Sequence, residues 1–155
     1  MSVHTIRIRL KLPIDIETAW SYFSSPRNLK DITPAKMGFE ILSNSDSEKM
    51  YPGQIITYHV RPILGIPLYW MTEITHVREN EFFVDEQRFG PYIMWHHQHH
   101  FKPIAGGVEM TDLVHYKLPL GFLGEIAHWV FAKRQLQGIF EYRTAVLKER
   151  FGVIE

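Results

Sequence analysis

The chain has no cysteine. Disulfides, thiolate catalysis and cysteine-based zinc sites are therefore excluded. It has no excess of either charge: Lys+Arg and Asp+Glu number 17 each. That speaks against a nucleic-acid partner, which usually meets a basic excess. Long hydrophobic runs are missing too. No stretch approaches the roughly 20 apolar residues that span a bilayer. The opening MSVHTIRIRLKL alternates charged and apolar residues where a signal peptide has an unbroken apolar middle. A cytoplasmic location is the expectation. No internal repeat, low-complexity tract or linker interrupts the 155 residues, so 1–155 reads as one domain with one core. Gly-rich phosphate loops, H-E-x-x-H and G-x-S-x-G are also absent.

What is present is aromatic side chains, at 14% of the residues, enough for a large core or an aromatic-lined cavity. Ile6, Ile8, Leu10 and Leu12 alternate with Thr5, Arg7, Arg9 and Lys11, the period of a strand with one wet face. Asp15 is placed to cap a helix that carries Ala19, Trp20 and Phe23 on one side. Ser25 and Pro26 open a second short helix, which Pro34 stops. Six runs rich in β-branched and aromatic residues follow, joined by short turns: MGFEIL, QIITYHV, LYWMTEITHV, EFFVDEQRF, IMWHHQHHFK and VEMTDLVHYKL. From 122 to 151 the period becomes helical, with Phe122, Ile126, Trp129, Leu136, Phe140, Leu147 and Phe151 in one stripe and Gly138 as the expected weak point. The order predicts an α+β fold: a seven-stranded antiparallel sheet, two short helices after strand 1, and one long C-terminal helix, with all helices on one face.

The segments PRNLKDITPAKMGFEIL, YPGQIITYHVRPILGIPLYWMTEITHV and FFVDEQRFGPYIMWHHQHHFKPIAGGVEMTDLVHYKLPLG resemble the START-like superfamily, also called SRPBCC. Within it they resemble the ligand-binding, polyketide cyclase/dehydrase-like branch of bacterial proteins. The resemblance covers nearly the whole chain. It implies a helix-grip (START/Bet v 1-like) fold, with the sheet curled around the long helix. It also implies an internal cavity for lipids, sterols, polyketides or other apolar molecules. Relatives of this kind include both carriers and enzymes.

Residues 95–101, WHHQHHF, place four histidines between two aromatics. On a strand Trp95, His97, His99 and Phe101 share one face and His96, Gln98 and His100 the other. The face with Trp95 and Phe101 is read as the inner one. His96 and His100 then lie about 13 Å apart and cannot share a metal ion. On the next strand Met110, Val114 and Tyr116 form the inward set, which carries Asp112 with them. The hairpin brings Asp112 opposite His97 or His99, and an inward carboxylate needs such a partner. In FFVDEQ either Asp85 or Glu86 points inward; Asp85, together with Gln87, is preferred.

Several readings of this band compete. It is a hydrogen-bonded polar layer that helps specify the fold, or a set of anchors that orient a ligand in an apolar cavity. Alternatively, His97 or His99 works as a general base oriented by Asp112. A His-His-Asp metal site ranks last, because its third ligand is only inferred, and neither a metal nor a cofactor is expected. The preferred function is binding of a small hydrophobic or aromatic molecule. Tyr58, Trp70, Asp85, Gln87, Trp95, His97, His99, Asp112 and Tyr116 are the candidate ligand-binding residues. The alternative is a cyclase, dehydratase or isomerase with His97, His99 and Asp112 as its catalytic set. Trp20 and Trp129, like Trp70 and Trp95, are expected in the core. Leu64 and Ile66 at a hairpin tip, and Leu120 and Phe122 before the long helix, are expected to form an apolar cavity lip. The same lips suit a homodimer or a transient membrane or protein contact.

Overall fold

The computed structural model describes residues 2–43, 49–62 and 65–155. Strand β1 (His4–Leu12) ends at Pro13, and Asp15 accepts a hydrogen bond from the Thr18 N–H to start α1 (Ile16–Phe23). The next helical piece differs from expectation. Pro26–Leu29 is a single 3₁₀ turn, Ser25 makes no capping bond from its side chain, and a second 3₁₀ turn follows at Ala35–Met37. Between Pro26 and Pro34 there is too little chain to offset the cost of nucleating an α-helix.

The sheet consists of β2 (Glu40–Ile41), β3 (Ile55–Val60), β4 (Leu68–Arg78), β5 (Phe82–Phe89), β6 (Met94–Ile104) and β7 (Gly107–Lys117), together with β1. Its order is β1-β7-β6-β5-β4-β3-β2, so β1 crosses over to pair with β7 and every other neighbour is a hairpin. All pairings are antiparallel. The register between β4 and β5 slips at Met71/Thr72 and again at Ile74/His76. Such bulges sharpen the local twist and bend a sheet, and here they lie in its middle, where curling encloses the space in front.

The C-terminal helix runs for 31 residues, Gly121–Phe151. At 1.5 Å per residue it is about 45 Å long. It comprises α2 (Gly121–Ala127), a π-helical segment (His128–Ala132) and α3 (Lys133–Phe151). The irregularity therefore lies at the π segment and not at Gly138, through which the helix continues. Gly124, His128, Ala132, Leu136 and Phe140 are all buried. Four-residue steps drift by roughly 40° per step on a 3.6-residue helix. A wider π turn absorbs part of that drift and keeps the five on the inner side.

The same winding turns the first half of the predicted stripe outward. Phe122 and Trp129 are 79% and 66% exposed, whereas Leu136, Phe140 and Leu147 are buried. Trp129 is thus not a core residue, while Trp20 packs edge-on against Phe83 and Phe101. One core cluster joins α1 and the end of α3 to the sheet through Phe23, Phe101, Met110 and Leu147. Burying each such side chain is worth about 1.5–3 kcal/mol. No described helix is long and apolar enough to cross a membrane.

Candidate functional site

Three neighbouring strands bring the polar cluster together. In register, Asp85 of β5 lies opposite His97 of β6, and His99 of β6 lies opposite Asp112 of β7. The four histidines of WHHQHHF divide between the two faces. His97 and His99 are buried, while outside His96 pairs with Glu86 at 2.7 Å and His100 with Gln98 at 2.9 Å. Glu86 therefore points outward and Asp85 inward.

Each inner histidine spans the gap between two carboxylates. His97 Nε2 lies 3.1 Å from Asp112 Oδ1, and its Nδ1 lies 3.6 Å from Asp85 Oδ2. His99 Nε2 lies 2.7 Å from Asp85 Oδ2, and its Nδ1 lies 3.0 Å from Asp112 Oδ1, off the line of a straight hydrogen bond. Arg143 of α3 reaches Asp112 Oδ2 at 3.4 Å. Phe83 stacks on His99 with ring centroids 4.1 Å apart, and Phe140 meets His97 edge-on.

The charges follow from these neighbours. Burial favours the neutral form of Asp112, but the Arg143 guanidinium and the two imidazoles hold its carboxyl well below the usual carboxylate range. Burial likewise opposes charge on Asp85, and His97 and His99 lower its pKa nonetheless. His97 is pushed down by burial and by charge on His99. Burial opposes charge on His99 as well, but the flanking Asp112 and Asp85 raise it above the ordinary imidazole value. Each buried carboxylate thus has basic groups beside it, His97 and His99 for Asp85 and these two with Arg143 for Asp112, as a buried charge requires.

In front of this cluster a cavity of about 350 Å³ separates sheet from helix. Tyr58, Trp70, Trp95, Asp85, His97 and His99 line its sheet side, and Leu136, Phe140 and Arg143 its helix side. Trp70 stacks on Tyr58 and meets Trp95 edge-on. Thr72 Oγ1 lies 3.1 Å from the Trp70 indole nitrogen, which donates to it, and 3.2 Å from the Tyr58 hydroxyl. Burial raises the Tyr58 pKa, so the phenol stays protonated.

Other candidates lie elsewhere. Asp112 is 1% exposed and sits behind the histidines, off the cavity wall. The Tyr116 hydroxyl is turned to His128 Nε2 at 2.8 Å, and Tyr116 does not line the cavity. Gln87 also stays off the wall; its amide binds both backbone groups of Tyr92, and Tyr92 is the wall residue. Ile66, Leu120 and Phe122 are exposed and do not line the cavity, although Ala127 and Phe131 of the same helical stretch do. Leu64 lies outside the described residues.

Leu120 is 75% exposed and holds a left-handed backbone, φ 68°, at the start of α2. That conformation costs a branched L-residue about 1–2 kcal/mol. Leu120→Gly is accordingly expected to raise stability by about 1 kcal/mol in urea unfolding, and no gain would mean that the strain is relieved in solution.

The sequence reading missed Arg143, although a signal was there. Leu136, Phe140, Arg143 and Leu147 recur at helical spacing, so the arginine falls on the inward stripe. A charge there demands a buried counter-charge such as Asp112.

Known structures share this architecture. A protein from Chromobacterium violaceum superposes with a TM-score of 0.72 at 12% identity, covering 97% of this chain and 99% of that one. A protein from Thermus thermophilus gives 0.71 at 16% identity, over 95% and 96%. The major latex-like protein 151 of Panax ginseng gives 0.68 at 13% identity, over 96% and 97%. No family model matches the chain, and no curated protein matches it. At these identities what is shared is the backbone architecture: the chain has the helix-grip (Bet v 1-like) fold.

Proposed function

We propose that the chain binds one small hydrophobic or aromatic molecule in the cavity between sheet and helix. The observation that carries this reading is a partly open, mostly apolar space of about 350 Å³ with a single group of charged side chains, Asp85, His97, His99 and Arg143, on its wall. Small-molecule sites are built this way: the apolar wall supplies affinity, at roughly 25 cal/mol per Å² buried, and a few polar groups fix orientation. Trp70, Trp95 and Tyr58 would form the flat apolar wall, and His97 and His99 the polar end, with Asp112 and Arg143 holding them. The exposed apolar start of the C-terminal helix supports an entry lip beside Ala127 and Phe131.

A lipid, a sterol and a polyketide all meet this description. Native mass spectrometry of the purified protein tests it: a stoichiometric co-purified small molecule is expected, released on unfolding. Failure to retain or take up any apolar compound at micromolar concentration would sink the reading.

A second reading rests on the His-Asp cluster itself. A buried imidazole aimed into a cavity and oriented by a carboxylate can move a proton, as a cyclase, dehydratase or isomerase requires. His97→Ala, His99→Ala and Asp112→Asn variants separate the two readings. Turnover lost with binding retained marks acid–base chemistry, whereas loss of binding alone marks anchoring.

A further inference from the structure

We propose that Asp85, His97 and His99 form a site for one divalent first-row transition-metal ion, with Asp112 holding both imidazoles from behind. This replaces the expectation that no metal is bound, and it stands whether or not the cavity takes an apolar ligand.

The front atoms of the cluster are His97 Nδ1, His99 Nε2 and Asp85 Oδ2. The carboxylate oxygen lies 3.6 Å from the first and 2.7 Å from the second, and one ligand atom from each residue falls within 4.8 Å of the others. Metal–ligand bonds of about 2.1 Å place neighbouring ligands roughly 3.0 Å apart around an octahedral ion and roughly 3.4 Å around a tetrahedral one. The two carboxylate distances bracket those values, and the two imidazole nitrogens, within 4.8 Å of each other, reach a shared ion by rotation of the side chains.

The back atoms converge on one carboxylate oxygen. His97 Nε2 and His99 Nδ1 lie 3.1 and 3.0 Å from the same oxygen, Asp112 Oδ1. The His97 contact is the hydrogen bond by which metal-binding histidines fix the ring and increase its basicity, while His99 Nδ1 meets the same oxygen off the hydrogen-bond line. Arg143 takes the other oxygen of Asp112 at 3.4 Å, which leaves Asp85 as the carboxylate available to an ion.

A count of donors points the same way. A neutral imidazole has one N–H, yet His97 has a carboxylate oxygen on each side. With its Nε2–H given to Asp112, its Nδ1 lone pair faces the Asp85 oxygen at 3.6 Å, acceptor against acceptor. A cation between them turns that repulsion into two bonds. Two imidazoles and a carboxylate without thiolate suit zinc, ferrous iron, cobalt or manganese better than cuprous copper. All three ligands line the cavity, so the remaining coordination positions face it. There an ion would act as a Lewis acid on a polar group of whatever the cavity holds.

The test uses chelator-treated, full-length protein titrated with Co(II), read by visible absorption and by native mass spectrometry. One equivalent is expected, with intensified bands of low coordination number and a thermal midpoint raised by about 5–10 °C at saturating metal. Asp85→Asn and His97→Gln are expected to weaken binding at least a hundredfold. The outer pair His96→Ala, His100→Ala is expected to leave it unchanged. No stoichiometric uptake at millimolar Co(II), or uptake that survives Asp85→Asn and disappears with the outer pair, overturns the proposal. Should Asp85→Asn fail to fold, His97→Gln and the midpoint of the unaltered protein decide. A midpoint that neither Co(II) nor Zn(II) moves also overturns it.

Discussion

Replacing Asp112 by asparagine is expected to destabilise the protein by about 3–5 kcal/mol, out of a total stability on the order of 5–15 kcal/mol. The side chain keeps its volume and loses only its charge, so the cost is electrostatic and leaves no packing cavity. In the native protein this carboxylate is 1% exposed and is approached by Arg143 at 3.4 Å, His97 at 3.1 Å and His99 at 3.0 Å. Without the charge, the buried guanidinium keeps its desolvation penalty and loses its closest counter-ion. Urea unfolding at neutral pH should show the loss as a shifted midpoint, and thermal unfolding as a drop of about 10 °C or more. The diagnostic variant is the double one, Asp112→Asn with Arg143→Met. Once the arginine is gone, the missing carboxylate leaves no stranded guanidinium. The double variant is therefore expected to be less destabilised than the sum of the two singles, by roughly 0.5–3 kcal/mol. Strict additivity would show that Arg143 does not depend on Asp112, and the buried Arg143–Asp112 ion pair would fall with it.

Much of this cluster was legible as parity. Trp95 and Phe101 bracket the histidines, and two-residue alternation then sends His97 and His99 inward, where the structure places them. The same alternation on β7 carries Asp112 in beside Met110 and Val114. Alternation says nothing about which strand position lies opposite which. The pairing of Asp112 with His99 had to come from the observed register, as did the reach of one oxygen to both rings. Asp85 and Glu86 were ambiguous because FFVDEQ has an apolar residue on each face near its start. Only pairing across to His97 decides between them.

The C-terminal helix was misread in its first half for a different reason. Two stripes fit helical spacing there, the bulky one through Phe122, Ile126 and Trp129 and a smaller one through Gly124, His128 and Ala132. Hydrophobicity favours the first, but the structure buries the second. Gly124 cannot face outward without changing the approach to the preceding loop. A Cβ at this position would lie 2.0 Å from the Pro119 carbonyl oxygen. Small residues facing inward leave room beneath the helix. The polar or small face over the cavity, and the bulky face in water, are two consequences of one rotation that composition alone does not reveal.

That room makes the strongest test of the cavity a substitution that fills it. Ala132 is buried on the π segment and lines the cavity, while Ala19 is buried in α1 within close-packed core. Ala19→Trp must push its neighbours apart and is expected to cost about 1–3 kcal/mol or more, as overpacking does. Ala132→Trp has a hollow to grow into, so its stability is expected to stay within about 1 kcal/mol of the unaltered protein. Ligand binding should respond in the opposite sense. An indole that keeps a ligand from roughly 100 Å² of apolar wall removes about 2.5 kcal/mol of binding free energy, close to two orders of magnitude in affinity. Titration with an environment-sensitive naphthyl dye, alongside urea unfolding of both variants, reads the two effects separately. If Ala132→Trp unfolds as readily as Ala19→Trp, the side chains already fill that space in solution. A stable Ala132→Trp that binds the dye undiminished would place the dye somewhere other than between sheet and helix. Stability kept while binding is lost is the combination that only an open interior produces.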